Sequence, residues 1–231
     1  MQDESHAGVL SRRQELAETG VFLLLIVPSL AFSFVGSGQG ALPFPLVAAA
    51  TILRDAGLVA LVLLLLSRAR QPVAAIGWVR RTVWLEVLVG VAFSAVALLG
   101  GQLLAAALHG AGLSVQQGGT SGLLPSAHIG ELLLAFVLVV VVAVAEETVF
   151  RGYLILRFKS ALQSRTWAVL LSTVVFAVGH GYEGGAGVLT VGLIGLVFAL
   201  VYEWRRSLVA PIVMHFSLDF VSIVLAPFLA G

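Results

Sequence analysis

Long apolar runs broken by short polar stretches set the pattern of this chain. The runs fall at about residues 19–35, 45–66, 83–108, 131–157, 166–180, 186–203 and 208–228. A membrane-spanning helix needs about 20 mostly apolar residues, and neighbouring helices can shelter a shorter one. The pattern therefore predicts an all-α fold, a polytopic transmembrane helix bundle of about seven spans. The fifth and sixth runs read as short, with the glycine-rich turn "GHGYEGGAG" between them. The third and fourth are joined by "HGAGLSVQQGGTSGLLPSAHI", an irregular loop rich in Gly, Ser and Gln. Three regions follow: a tail over 1–18, N-terminal helices with an outer loop over 19–130, and a C-terminal transmembrane core over 131–228.

Composition agrees with this reading. With 59% hydrophobic residues, 11% charged residues and a mean hydropathy of +1.05, the chain reads as an integral membrane protein whose main partner is the lipid bilayer. The formal net charge is +1 and no basic cluster suits nucleic acid, so no nucleic-acid partner is expected. There is no cysteine, which excludes disulfides, thiolate zinc sites and thiol nucleophiles. The opening segment "MQDESHAGVLSRRQELAETG" mixes acidic and basic residues without a cleavage signature, and is expected to be a cytoplasmic or interfacial tail. Under the seven-span reading, Arg12, Arg13, Arg68, Arg70, Arg80, Arg81, Arg157, Lys159, Arg165, Arg205 and Arg206 all fall on one side. Trp78, Trp84, Trp167 and Trp204 cluster at the same boundary, as an interfacial belt would. The N-terminus is thus expected inside. The loose similarity of the Ala/Val/Leu/Gly-rich composition to bacterial membrane proteins points to a bacterial inner membrane.

Charge inside the apolar runs needs a reason, because each such residue near a helix centre costs roughly 2.5–3.5 kcal/mol on insertion scales. The residues in question are Arg54 with Asp55, then Glu146, Glu147 and Arg151, then His180, His215 and Asp219. Counted at about 1.5 Å per helical residue from the inner boundary, Glu146 lies roughly 15–17 Å in, His215 about 12 Å, Asp219 about 18 Å and His180 about 20 Å. Three helices thus bring polar groups to similar depth. Glu147 and Arg151 are four apart and can pair on one face. Glu146 points about 100° away and is free to face a cavity. Arg54–Asp55 sits on a helix without other polar company and reads as structural. His6, His109 and His128 read as surface residues, and Gly192, Gly195 and Ala199 as a close-packing face for another helix.

Glu146 with two histidines admits two chemical readings. In the first, Glu146 and His180 hold a water and take its proton as it attacks a peptide carbonyl, while His215 and Asp219 stabilise the oxyanion. In the second, Glu146, His180 and His215 are ligands of a zinc ion (Zn2+) with an open water position. Both predict hydrolysis within the membrane, and spacing does not choose between them.

Three short motifs carry a resemblance. "EETVFR" reads as Glu-Glu-x-x-x-Arg, "FAVGH" as Phe-x-x-x-His, and "HFSLD" as His-x-x-x-Asn/Asp, in that order. Together they resemble the CPBP family of CAAX prenyl proteases and bacteriocin-processing, Abi-type membrane proteases, over about residues 131–228. The resemblance implies an intramembrane peptidase acting on a membrane-anchored protein or peptide. It makes Glu146, His180, His215 and Asp219 the catalytic set, with Glu147 and Arg151 in support. Where well-studied members carry Asn, this chain has Asp219. An ionised Asp cannot donate to an oxyanion, so Asp219 is either protonated or orients His215 or a metal-bound water. The alternative from another class is a non-catalytic scaffold or bacteriocin-immunity protein of the same fold, and a third is a proton-coupled transporter. Competing protease motifs are poor: His-Glu-x-x-His and Gly-x-Gly-Asp are absent, and the rhomboid-like "GTSG" at 119–122 lies in a Gly/Gln-rich loop.

Overall fold

The computed structural model describes residues 12–33, 42–79, 82–113 and 124–229, and over these the chain is helical, without strands. The helices are α1 (Arg12–Ser33), α2 (Phe44–Arg68), α3 (Val83–Gly110), α4 (Ile129–Glu146), α5 (Ile155–Leu162), α6 (Arg165–Val178), α7 (Gly184–Arg205), α8 (Val209–Asp219) and α9 (Ala226–Leu229). Two π-helical stretches interrupt the regular turns. Glu147–Leu154 carries α4 into α5 without a break, and Phe220–Val224 continues α8. Such widened turns are uncommon and gather at functional sites.

Among the described residues, four helical runs are long and apolar enough to cross a membrane: Phe44–Arg68, Val83–Gly110, Ile129–Leu162 and Gly181–Arg205. Arg165–Val178 and Val209–Val224 are apolar but shorter. The sixth run, expected to be short, is therefore a full-length helix. The residues after Gly181 are glycine-rich yet continue almost directly into α7, so a composition that suggests a long turn makes only one tight turn around His180. The chain is an integral membrane protein.

Packing brings α3 onto α8, α2 onto α4 and α6 onto α7. The largest buried cluster joins Phe22, Leu66, Ile76, Tyr153, Leu154, Tyr202 and Leu208, drawn from both halves of the chain. Small residues set how closely the helices approach. A Cβ at Gly90 on α3 would lie 2.6 Å from the Cβ of Val213 and 2.9 Å from the carbonyl oxygen of Ala210, both on α8. Neither neighbour is a flexible side-chain tip, so α8 cannot yield without moving. Gly90→Leu is expected to push α8 off α3 and lower the melting temperature in detergent, at an overpacking cost of about 1–3 kcal/mol. An unchanged melting temperature would mean that the contact tolerates more than a methyl group.

At one end of the bundle Arg68, Arg157, Lys159, Arg165, Arg205 and Arg206 meet acidic partners. Glu15 accepts from Arg157 at 3.2 Å and from Ser160 at 2.7 Å. Glu18 pairs with Arg68 at 3.3 Å, and Glu86 with Arg205 at 2.7 Å. Glu203 pairs with Lys159, Arg165 and Arg206. These contacts cross-link the N-terminal ends of α1, α3 and α6 to the C-terminal ends of α2, α5 and α7. The links gather Arg68, Arg157, Lys159, Arg165, Arg205 and Arg206 at one end of the bundle. Trp78, Trp84, Trp167 and Trp204 are exposed, as residues of an aromatic belt must be.

Candidate active site

The charged residues converge where α4 turns into its π-helical continuation and α8 crosses it. Glu147 and Arg151 are both fully buried, and Arg151 Nη1 donates to Glu147 Oε1 at 2.9 Å. Their spacing of four survives the widened turn. Arg151 is held further by the Gly195 carbonyl, which accepts from Nη2 at 3.0 Å. Its guanidinium lies over the Phe176 ring, 4.0 Å from the centroid, and faces Phe198 at 5.4 Å. Gly195 permits this approach, since a Cβ there would lie 2.7 Å from Phe176 Cδ1 and 3.0 Å from Arg151 Nη2. The Gly192/Gly195 face of α7 therefore packs against α6 and Arg151, consistent with the small-residue pattern.

His215 is tied to the same carboxylate. Its Nδ1 lies 2.8 Å from Glu147 Oε1, in the geometry of an N–H donating to a carboxylate. Its Nε2 lies 3.4 Å from Asp219 Oδ2, one turn along α8, and 3.9 Å from Glu146 Oε2. Glu147 is therefore more than half of a salt bridge. It orients His215 across two helices, and spacing alone could not reveal that partner because the residues are far apart in sequence.

Glu146 behaves differently from its neighbour. It keeps 15% of its side chain accessible where Glu147 keeps none, and it lines a cavity of about 860 Å³ together with His180, His215 and Asp219. Its Oε2 makes no hydrogen bond among the described residues. Hence the angular argument from the sequence agrees with the geometry: one carboxylate is locked in the protein and the other is presented to the cavity. His180 sits just past α6, and its Nδ1 lies 3.0 Å from the carbonyl oxygen of Phe176. A carbonyl only accepts, so Nδ1 carries the proton and Nε2 is the nitrogen left with a lone pair.

Arg54 and Asp55 depart from expectation. They pair with each other, Nε to Oδ1 at 2.8 Å, but they also line the cavity, and Arg54 Nη2 lies 3.9 Å from Glu146 Oε1. The expectation that they lack polar company is corrected: the packing of α2 on α4 brings them to the site. Tyr182 and Glu183, from the turn before α7, line the cavity as well and were not singled out by spacing. His109 and His128 are exposed, while His6 and the "GTSG" motif lie outside the described residues.

Whether Glu146, His180 and His215 suit a metal can be read from their arrangement. Among the described residues no three His, Asp or Glu side chains are grouped so as to hold a metal ion. Each histidine has one ring nitrogen, Nδ1, on a protein acceptor, Phe176 or Glu147, which leaves Nε2 as the nitrogen a metal would take. The described side chains thus form no assembled zinc ligand set, while the donor types are ones that zinc takes.

Comparison with known proteins bears on the same region. Residues 128–221 match the family model described as "Type II CAAX prenyl endopeptidase Rce1-like", which covers less than half of the chain. The match spans all three motifs and bears out the CPBP/CAAX-protease resemblance. No curated protein and no solved structure matches the chain.

Proposed function

We propose, from the premise that residues 128–221 carry the pattern of the CAAX-type protease family, that this protein is an intramembrane endopeptidase using Glu146 as its general base. The observation that carries the reading is the division of labour between adjacent carboxylates. Glu147 is consumed by Arg151 and His215, whereas Glu146 faces the cavity beside His215 and Asp219. A scaffold would have no use for a carboxylate presented to a large cavity that two histidines and an acid also line.

In this reading a water sits between Glu146 and the lone pair of His180. Glu146 takes its proton as the oxygen attacks the carbonyl carbon of a peptide bond. The developing oxyanion is met by the Nε2–H of His215, which acts here as the imidazolium because its Nδ1–H already donates to Glu147. Glu146 then passes the proton to the leaving amine as the carbon–nitrogen bond breaks, which closes the proton balance. Asp219, 3.4 Å from His215 Nε2, suits orientation of that ring better than direct donation to an oxyanion. The substrate is a membrane-anchored protein or peptide whose scissile segment enters the mostly apolar cavity, and a bacterial inner membrane is the proposed location.

Cleavage of tagged single-span membrane proteins in proteoliposomes tests this. Wild type is expected to release a product that Glu146→Ala does not release at matched levels of folded protein. Product from both would overturn the assignment of Glu146. The role of Asp219 gives a second expectation. Asp219→Asn, which restores the residue of well-studied family members, is expected to slow cleavage by less than about tenfold, and Asp219→Leu by about 100-fold or more. Equal losses in the two variants would contradict an orienting role.

A further inference from the structure

Arg54 is the sole Arg or Lys among the described residues that line the cavity, and it comes from α2, outside the family-matched segment. Two adjacent charged residues in a membrane helix are costly, roughly 2.5–3.5 kcal/mol each on insertion scales, so a use is required beyond packing. The geometry supplies one. Asp55 is 1% exposed and holds Arg54 Nε at 2.8 Å, which fixes the guanidinium. Nη2 is then left 3.9 Å from Glu146 Oε1, an ion-pair separation without a direct hydrogen bond. The buried arginine nearby, Arg151, is committed to Glu147 and to the Gly195 carbonyl. Around Glu146 there are thus carboxylates on three helical elements, and Arg54 is the permanent cation that faces it.

We infer that Arg54 is a positioning residue for Glu146: held by Asp55, it fixes the direction of the Glu146 carboxylate across the α2–α4 contact. The inference rests on the reading of Glu146 as the base. It extends the functional unit beyond residues 128–221, because the N-terminal half then supplies the cation that aims the reactive group. It also gives Asp55 a purpose, since an unanchored arginine that is half exposed would sample many rotamers.

The test uses the full chain in proteoliposomes, with two readouts. One is kcat and KM for the tagged substrate. The other is the infrared carboxylate band of Glu146, identified by its loss in Glu146→Gln. Arg54→Met is expected to lower kcat by about tenfold, equivalent to about 1.4 kcal/mol, with KM changed by less than about twofold, and to move the band. Arg54→Lys is expected to restore most of both, which lost packing alone would not explain. Arg54→Gln serves if Arg54→Met melts early. An unmoved band with wild-type kcat overturns the inference, as does a rise in KM alone, which would make Arg54 a substrate-binding residue. If wild type cleaves nothing, the protease reading fails by itself. The band then still decides: a shift keeps the positioning contact, and no shift removes it.

Discussion

Replacing Glu147 by alanine is expected to destabilise the protein by about 3–5 kcal/mol, the usual cost of stripping one partner from a buried ion pair. The side chains of Glu147 and Arg151 are 0% and 1% exposed, so no solvent is at hand to replace the lost carboxylate. The same change removes the acceptor of His215 Nδ1. Two buried donors on two helices would lose their partner at once, and the π-helical stretch that begins at Glu147 would lose its tie to α8. Thermal melting in detergent should show a large drop for Glu147→Ala. The double replacement Glu147→Leu with Arg151→Met should recover part of it, because matched apolar residues no longer bury a lone charge. A single variant that melts like wild type would mean that the pair is not what holds this crossing together.

Glu146→Gln is expected to do the opposite: to leave the fold nearly intact and remove the activity. Its side chain keeps 15% accessibility and its Oε2 has no hydrogen-bond partner among the described residues, so little structure depends on it. The amide fills the same volume but cannot take a proton from water. General-base catalysis contributes typically 10²–10⁴-fold, and a loss of about that size is expected in kcat. Comparing the two variants separates adjacent glutamates by kind: one is read by melting, the other by turnover. If Glu146→Gln were as unstable as Glu147→Ala, the distinction between a locked and a presented carboxylate would fail.

Much of this arrangement was legible in the sequence, and the reason is helical geometry. The angle between neighbouring residues on a helix separates Glu146 from Glu147, and a spacing of four pairs Glu147 with Arg151 and His215 with Asp219. Each of these relations lies within one element. Between elements, the common depth of Glu146, His180, His215 and Asp219 was legible, but the side-chain contacts were not. The bond from His215 to Glu147 depends on how α8 crosses the α4 continuation, and Arg54 reaches Glu146 only because α2 packs on α4. Glu15, Glu86 and Glu203 are likewise far in sequence from Arg157, Arg205 and Arg165, which they meet. The π-helical stretches have no periodicity signal of their own, since a widened turn is imposed by packing around a buried group. The length of α7 was underestimated because glycines that suggest a turn also occur in membrane helices, where they allow close approach.

The central claim is that water held by Glu146 attacks the peptide bond directly. Single-turnover cleavage in water labelled with heavy oxygen, using wild type in proteoliposomes with one tagged membrane substrate, tests it most directly. The account predicts label in the new carboxyl group during the first turnover, and no product from Glu146→Gln. Unlabelled product in the first turnover would mean that a protein carboxylate oxygen attacked and the resulting anhydride opened at the protein's own carbonyl, and labelled product from Glu146→Gln would assign the base elsewhere; either result contradicts the account.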